Sequence, residues 1–427
     1  MESDQDSPIG LDHLFRQESG RLVATVARIF GLHNLSLAED VVQDAFSRAL
    51  EIWKIRGVPE NPTAWLVAAA KNRAIDYLMR ERTARTFAPE VDRLLRSEWT
   101  FSPTVEELFA EGEIKDDLLR MMFTCCHPKL TDDARVGVIL NVLCGFSIDE
   151  IAAAFVATPS AIQKRIARAK NTLAQSQHLF DVNTSSNFSA RLPAVQRSLY
   201  LLFNEGYHGA SAEFAVRAEL CREAMRLASL LLAHPLGATP ATYALSALMC
   251  FGAARLPARL DSLGNLNALS DQNRAMWNQE LISQGLELLS RSASGREATE
   301  FHIEAAIASL HATAATIEDT DWHEIVSLYD SLLAIRPSPI VALNRAIAVA
   351  HSENAERGLE ELRKIQGLSG LSRYPFYQAA LGELELRTGK LTDARRHFYA
   401  ARALARNPTE RSFLDRRIWA CDDPSHV

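Results

Sequence analysis

Several groups of residues in this sequence have types and spacings that could do chemistry. Asp40 and Asp44 stand four apart, so on a helix they share a face, with Gln43 beside them. Two carboxylates in register can act as acid/base partners or present a solvated face to another protein. No pocket is implied around them, which favours the docking face. Cys125-Cys126-His127 places thiol and imidazole ligands in a row, but adjacent cysteines lack the loop spacing of a structural zinc site. His323-Glu324 begins like a metalloprotease motif, yet Ser327 stands where the second histidine belongs. Gly389-Lys390 lacks both the earlier glycine of a phosphate loop and the following Ser or Thr. No G-x-S-x-G serine or Gly-rich dinucleotide loop occurs. The expectation is a protein that is not an enzyme and holds no metal or cofactor.

Cationic side chains are the other candidates. Lys71, Arg73, Arg80, Arg82 and Arg85 cluster against Asp76 and Glu81, and Lys164 to Lys170 contains four basic residues and no acid. The chain as a whole has 46 Lys+Arg against 53 Asp+Glu, a net charge of −7. That excludes a generally basic coat for nucleic acid and confines any DNA contact to two patches far apart in sequence.

The second patch needs a helix to carry it. Ser147 stands three residues before Glu150, a capping box in which each side chain satisfies an orphan backbone donor. Ile151 and Phe155 then share a face, Val156-Ala157 makes a turn, and Thr158-Pro159 restarts a helix as N-cap and first residue. In that second helix Ile162, Ile166, Ala169 and Leu173 form an apolar stripe, leaving Ser160, Gln163, Lys164, Arg165, Arg168 and Lys170 on other faces. This is a helix-turn-helix arrangement, whose second helix can enter the major groove. There Gln163 could read an adenine edge, and Lys164 or Arg165 a guanine edge or phosphate. The plain alternative is a helical hairpin with a solvated cationic face. Around the first patch, Ala38 to Phe46 reads as one amphipathic helix with Val42, Ala45, Phe46 and Ala49 opposite the acids. A loop over Lys54–Pro62 leads to a helix carrying Trp65, Lys71, Asn72, Arg73, Tyr77 and Arg80. An aromatic beside a cationic helix suits melted single-stranded DNA, although Trp65 and Tyr77 read equally as core residues.

The 427 residues support more than one domain. Scarce glycine (19) and proline (16), with abundant Ala and Leu, point to an all-α chain. Six irregularly spaced cysteines fit a reducing cytosol rather than a disulfide scaffold. The acidic start, MESDQDSPIG, is no signal peptide. The longest apolar stretch, Ala244 to Ala254, falls well short of the roughly 20 residues of a membrane span, so the reading is cytoplasmic with no membrane contact. The expected division is 1–85, a linker over 86–112, a compact block over 113–178, an Asn/Ser-rich linker over 179–190, and a helical remainder over 191–427.

Taken in order, these residues resemble the σ70 family of bacterial transcription initiation factors, specifically the extracytoplasmic-function group. Ala38 to Phe46 is similar to region 2.2. The resemblance implies that Glu39, Asp40, Gln43 and Asp44 dock on the β′ clamp helices of core RNA polymerase. Pro62 to Arg80 is similar to regions 2.3 and 2.4, implying that Lys54, Arg56, Asn61, Trp65, Asn72, Arg73 and Arg80 engage the −10 element, with Lys54–Thr63 as the loop that captures a flipped base. Phe146 to Leu173 is similar to region 4, implying contact with the −35 element through Ser160, Gln163, Lys164, Arg165 and Arg168, and with the β flap of polymerase. One departure is Ser160-Ala161-Ile162, where many members have Gly-Thr-Val. Regions 1.1 and 3 have no counterpart. Phe123 to Leu130, Leu202 to Tyr207 and Asp271 to Trp277 resemble segments of the subgroup with a large tetratricopeptide-like extension.

The C-terminal half also shows a repeat by counting. Gly382, Ala394, Phe398 and Ala401 fit the small and aromatic positions of a tetratricopeptide unit, with Gly389 in the turn. Gly358 with Leu362 and Ile365, then Ile325 with Tyr329, Leu332 and Pro337, repeat the pattern, so units are expected from about residue 303. Such stacked helix pairs leave a concave surface for a protein partner or for intramolecular docking. Two rivals remain: a stand-alone helix-turn-helix regulator with a repeat-type sensor domain, and a pure scaffold protein.

Overall fold

The computed structural model describes residues 18–27, 34–80, 116–175, 185–209, 214–295, 297–365, 371 and 374–422. The described chain is all α, its one β feature being an isolated bridge between Leu260 and Leu266. It divides into two compact units, residues 1–199 with 233–237, and residues 200–232 with 238–427. The expected linker over 86–112 lies outside the described residues.

In the first unit, helical residues 18–27 (α1) precede α2 (Leu35–Arg56) and α3 (Pro62–Arg80). Next come α4 (Asp117–Cys125), α5 (Asp132–Val138) running into a π-helical turn over Ile139–Leu143, α6 (Ile148–Ala154) and α7 (Pro159–Ala174). Apolar residues at helical spacing set the packing. Val41, Val42, Ala45, Phe46, Ala49 and Trp53 of α2 are buried, as are Leu66, Ala70 and Ala74 of α3.

Helix α8 (Ser185–Tyr207) takes up residues 185–190 of the segment expected as a linker over 179–190, and residues 179–184 lie outside the described residues. Local propensity there is weak, but Phe188 is buried and stacks on Phe123 at 4.4 Å and on His234 at 4.7 Å, and this packing overrides it.

The second unit continues through α9 (Ala218–Ala233), α10 (Pro240–Ala254), the short α11 (Leu256–Arg259) and, after an irregular segment, α12 (Gln279–Ser292) and α13 (Glu300–Thr313). Helices α14 (Trp322–Ile335), α15 (Pro339–Ser352), α16 (Ala355–Lys364), α17 (Pro375–Arg387), α18 (Leu391–Leu404) and α19 (Pro408–Ala420) follow, each packed on the next. Ile325, Leu332, Gly358, Leu362, Ala394, Phe398 and Ala401 are all buried. Gly389 turns the chain between α17 and α18 at φ +74, a conformation that costs a residue with a Cβ. No described helix is long and apolar enough to cross a membrane.

Histidines held neutral make this unit sensitive to acid, and two of them meet one tryptophan. His311 meets Trp322 edge-on at 5.1 Å, and His351 stacks on the same ring at 4.1 Å. Burial, then the charges of Arg255 and Arg274, push His311 down to about 3. Burial, then Arg387, lowers His351 to about 4. Both are neutral in the fold, whereas the unfolded chain takes up protons below about 6.5. Stability is therefore fully present above that pH and lost as pH falls towards 4. Each histidine is expected to cost about 1 kcal/mol per pH unit, discounted for partial exposure. Denaturant midpoints measured from pH 7 to 4.5 should fall, and His311→Gln should remove its own share of the slope, to which His208, pushed down to about 3 by desolvation and then by Arg259 and Arg406, also contributes.

Candidate nucleic-acid interface

Helix α2 sets its acids by default, since burying its apolar stripe leaves Asp40, Gln43 and Asp44 exposed. Glu39 departs from this group. It is half-buried and accepts hydrogen bonds from Lys170 Nζ on both carboxylate oxygens, at 2.7 and 3.0 Å. Asp44 accepts from Arg73 Nε at 2.7 Å, which brings together residues expected to serve polymerase and DNA separately. Both side chains are largely exposed, so this pair orients Arg73 more than it stabilises the fold.

Lys54 and Arg56 are exposed in the last turn of α2. Asn61 is exposed, and its Oδ1 accepts the Ala64 amide at 2.9 Å, starting α3. Trp65 is neither core nor free surface. It is half-buried, with its ring set edge-on against buried Trp53 at 5.4 Å. Asn72 and Arg73 are exposed further along α3. Arg80 is its last residue, and the side chains of Tyr77 and Arg80, with Arg82 and Arg85, lie outside the described part.

The helix-turn-helix is built from α6 and α7. Ser147 Oγ accepts from the Glu150 amide at 3.1 Å, and Glu150 accepts from the Ser147 amide at 2.7 Å. Thr158 caps α7 through the Ala161 amide, with Pro159 as its first residue. Ile162, Ile166, Ala169 and Leu173 are buried, while Ser160, Gln163, Lys164 and Arg168 face solvent near the start of the helix. Arg165 is engaged within the protein. Its Nη1 donates to Asp133 of α5 at 3.1 Å, and its guanidinium lies 5.9 Å from the Phe155 ring centre. Lys170 is a correction to the cationic patch, because Glu39 partners it from a segment 131 residues away. Sequence spacing along α7 carries no signal of that pairing.

Val156 forms the turn with φ 50, a left-handed conformation rare for a β-branched residue, and it is exposed. Val156→Gly is expected to raise the stability of the helix-turn-helix by about 1 kcal/mol, read as a higher denaturant midpoint.

The thiols beside this site are closed off. Burial, then Cys126, raises Cys125 well above a free thiol, and burial pushes Cys126 up to about 12. His127 Nδ1 accepts the Lys129 amide at 3.1 Å. Sequence reasoning missed the part of Arg274, within the segment Asp271 to Trp277. Its Nη1 donates to the carbonyls of His311 and Ala314 at 2.7 Å each, tying the irregular segment to the end of α13.

The comparisons with known proteins fall on these elements. Residues 14–84 match sigma-70 region 2, residues 120–173 match sigma-70 region 4, and residues 191–293 match a family of unknown function, DUF6596. The chain is 35% identical over 396 residues to uncharacterized protein R00370 of Rhizobium meliloti (strain 1021), covering 93% of this chain and 92% of the other. It is 29% identical over 160 residues to RNA polymerase sigma factor CarQ of Myxococcus xanthus, covering 37% of this chain and 83% of CarQ. No solved structure matches.

Proposed function

We propose, for a chain that belongs to one family with uncharacterized protein R00370 and carries sigma-70 regions 2 and 4, that it is an initiation factor of the extracytoplasmic-function group. It binds core RNA polymerase and directs promoter recognition from the cytoplasm. The observation that carries this reading is the pairing, in order along one chain, of an exposed acidic helix face with a capped helix-turn-helix. Neither scaffolding nor simple repression needs both. Asp40, Gln43 and Asp44, with Glu39 beside them, meet the β′ clamp helices. Lys54, Arg56, Asn61, Trp65, Asn72, Arg73 and Arg80 engage the −10 strand, where Trp65 offers a stacking face and the cations meet phosphates. Ser160, Gln163, Lys164 and Arg168 reach the −35 duplex, with Arg165 beside them. The net charge of −7 suits a factor that binds promoters tightly only with polymerase. The tetratricopeptide-like part of the second unit regulates these steps by docking a protein or the chain's own first unit.

The test is binding of the full-length protein to core polymerase. The double reversal Asp40→Lys with Asp44→Lys is expected to weaken it at least tenfold, an effect of about 1.4 kcal/mol or more from close charges placed against a complementary surface. Unchanged binding would remove the docking assignment. Specific promoter binding by the protein alone, with no response to polymerase, would favour a stand-alone helix-turn-helix regulator.

A further inference from the structure

Two buried arginines of the second unit are treated differently. Arg217, its side chain 6% exposed, has the Glu205 carboxylate at 2.5 Å. Arg259, the last residue of α11, is 8% exposed and has no acid within ion-pair reach among the described residues. Its Nη2 donates to the Tyr207 carbonyl at 3.4 Å and to His208 Nδ1 at 3.1 Å, both uncharged acceptors. A guanidinium keeps its charge at any working pH, so its burial calls for a counter-charge.

Two more guanidiniums gather beside it. Arg259 lies 4.7 Å from the Tyr207 ring centre, and Arg255 lies 5.8 Å from the same ring and 5.5 Å from that of Trp277. Arg274 lies 4.8 Å from the Trp277 ring centre. Arg255 donates only from Nε, to Gln272 Oε1 at 3.4 Å, while Arg274 is directed at the carbonyls of His311 and Ala314 and the Thr320 hydroxyl. Glu318 and Asp319 act on Arg274 only from beyond ion-pair distance. Burial, with the charge of Arg255 adding to it, makes Arg259 and Arg274 hold their protons less tightly than a free guanidinium.

Neutral groups complete the pattern. Arg259 Nε, Tyr207 Oη and Trp277 Nε1 are buried atoms with no hydrogen-bond partner among the described residues. All three can donate, and the two nitrogens can only donate. Buried donors without acceptors are costly and rare, so three of them beside three unneutralised cations call for an acceptor that is also an anion. Water would satisfy the donors but not the charges. A carboxylate brings one negative charge, whereas a phosphate dianion brings two and more oxygens to receive guanidinium forks.

We propose that Arg255, Arg259 and Arg274, with the Tyr207 hydroxyl and the Trp277 indole N–H, form a binding site for a small dianionic oxyanion such as inorganic phosphate. Arg255 and Arg274 are half-buried and give the anion its way in, while the closed donors exclude bulky ligands. An anion held there ties the end of α8, α11 and the segment before α12 into one body. The site lies wholly in the second unit, and its test does not depend on the initiation-factor reading.

The experiment uses the full chain, dialysed into chloride and titrated with sodium phosphate at constant ionic strength. In the ¹⁵N-indole spectrum the Trp277 resonance, assigned by its loss in Trp277→Phe, should move to lower field and saturate as its N–H gains an acceptor. The other five tryptophans should hold still. Calorimetry should give one site per chain, and Arg259→Met should weaken it at least tenfold. In chloride alone Arg259→Met should unfold at no lower temperature than the parent, because it removes a buried charge that has no counter-charge. Should that variant unfold early, Arg255→Gln at a half-buried position reads the same loss of phosphate binding. A Trp277 resonance that phosphate leaves unmoved, or phosphate affinity unchanged in Arg255→Gln, overturns the site. An equal gain in unfolding temperature for parent and Arg259→Met is a general salt effect and overturns it too. Sodium acetate binding as tightly as phosphate would overturn the choice of a dianion.

Discussion

Replacing Glu205 with alanine is expected to destabilise the second unit by about 3–5 kcal/mol, among the largest losses a single substitution here can produce. Glu205 near the end of α8 accepts from Arg217 Nη2 at 2.5 Å, and both side chains are only 6% exposed. Removing the carboxylate takes from a buried guanidinium the charge that Glu205 supplies at close range, and desolvation then outweighs what its other contacts return. The neighbouring backbone gives little room to relax. The Arg217 amide donates to the Gly206 carbonyl at 2.7 Å, and a Cβ on Gly206 would lie 2.7 Å from the Arg217 carbonyl oxygen. Amide exchange of Leu201–Tyr207 reads the effect locally, which matters because two units need not unfold as one. The double variant Glu205→Leu with Arg217→Met should recover most of the loss, since the cost lies in the uncompensated charge rather than in the worth of the pair. A Glu205→Ala protein whose exchange in this segment is unchanged would mean that water reaches Arg217 and that this burial account is wrong.

That prediction also shows what the sequence could and could not reveal. Leu202-Phe-Asn-Glu-Gly-Tyr stands out as a segment, yet nothing in it announces that Glu205 is buried or that Arg217 is its partner. Local signals carried well. The capping box at Ser147, the Thr158-Pro159 restart and the stripe Ile162, Ile166, Ala169 and Leu173 each depend on residues within a few turns, and each is present in the fold. Pairings across long separations did not carry. The Lys170–Glu39 bond spans 131 residues, and one-dimensional spacing treats Lys170 as one more cation on a free face. The Asn/Ser run before Phe188 reads as a linker because propensity is local, while the aromatic stack that anchors the helix from Ser185 reaches Phe123 and His234. The same limit applies to Arg274, whose two carbonyl acceptors lie 37 and 40 residues on.

The second large effect is expected on α7, where the structure separates cations that the sequence treats alike. Lys164 and Arg168 are exposed on the face opposite the buried stripe, so on the proposed reading they meet the duplex directly. Neutralising both, as Lys164→Gln with Arg168→Gln, should lower promoter binding by the polymerase complex at least tenfold at moderate salt. It should also reduce the slope of log K against log salt by about two, one for each phosphate that no longer meets a cation. Arg165 should behave differently. Its guanidinium is already tied to Asp133 and set near Phe155, fixing α7 against the preceding helices. Arg165→Gln should therefore loosen the helix-turn-helix, with faster amide exchange in α7, while the salt slope changes by much less than one. Asp133→Asn provides the control, because it frees Arg165 without removing a cation. If Arg165 serves only to position α7, Asp133→Asn should weaken promoter binding as Arg165→Gln does. If Arg165 itself reads DNA, releasing it should leave binding unchanged or stronger, and Arg165→Gln should then cost as much salt slope as either exposed cation.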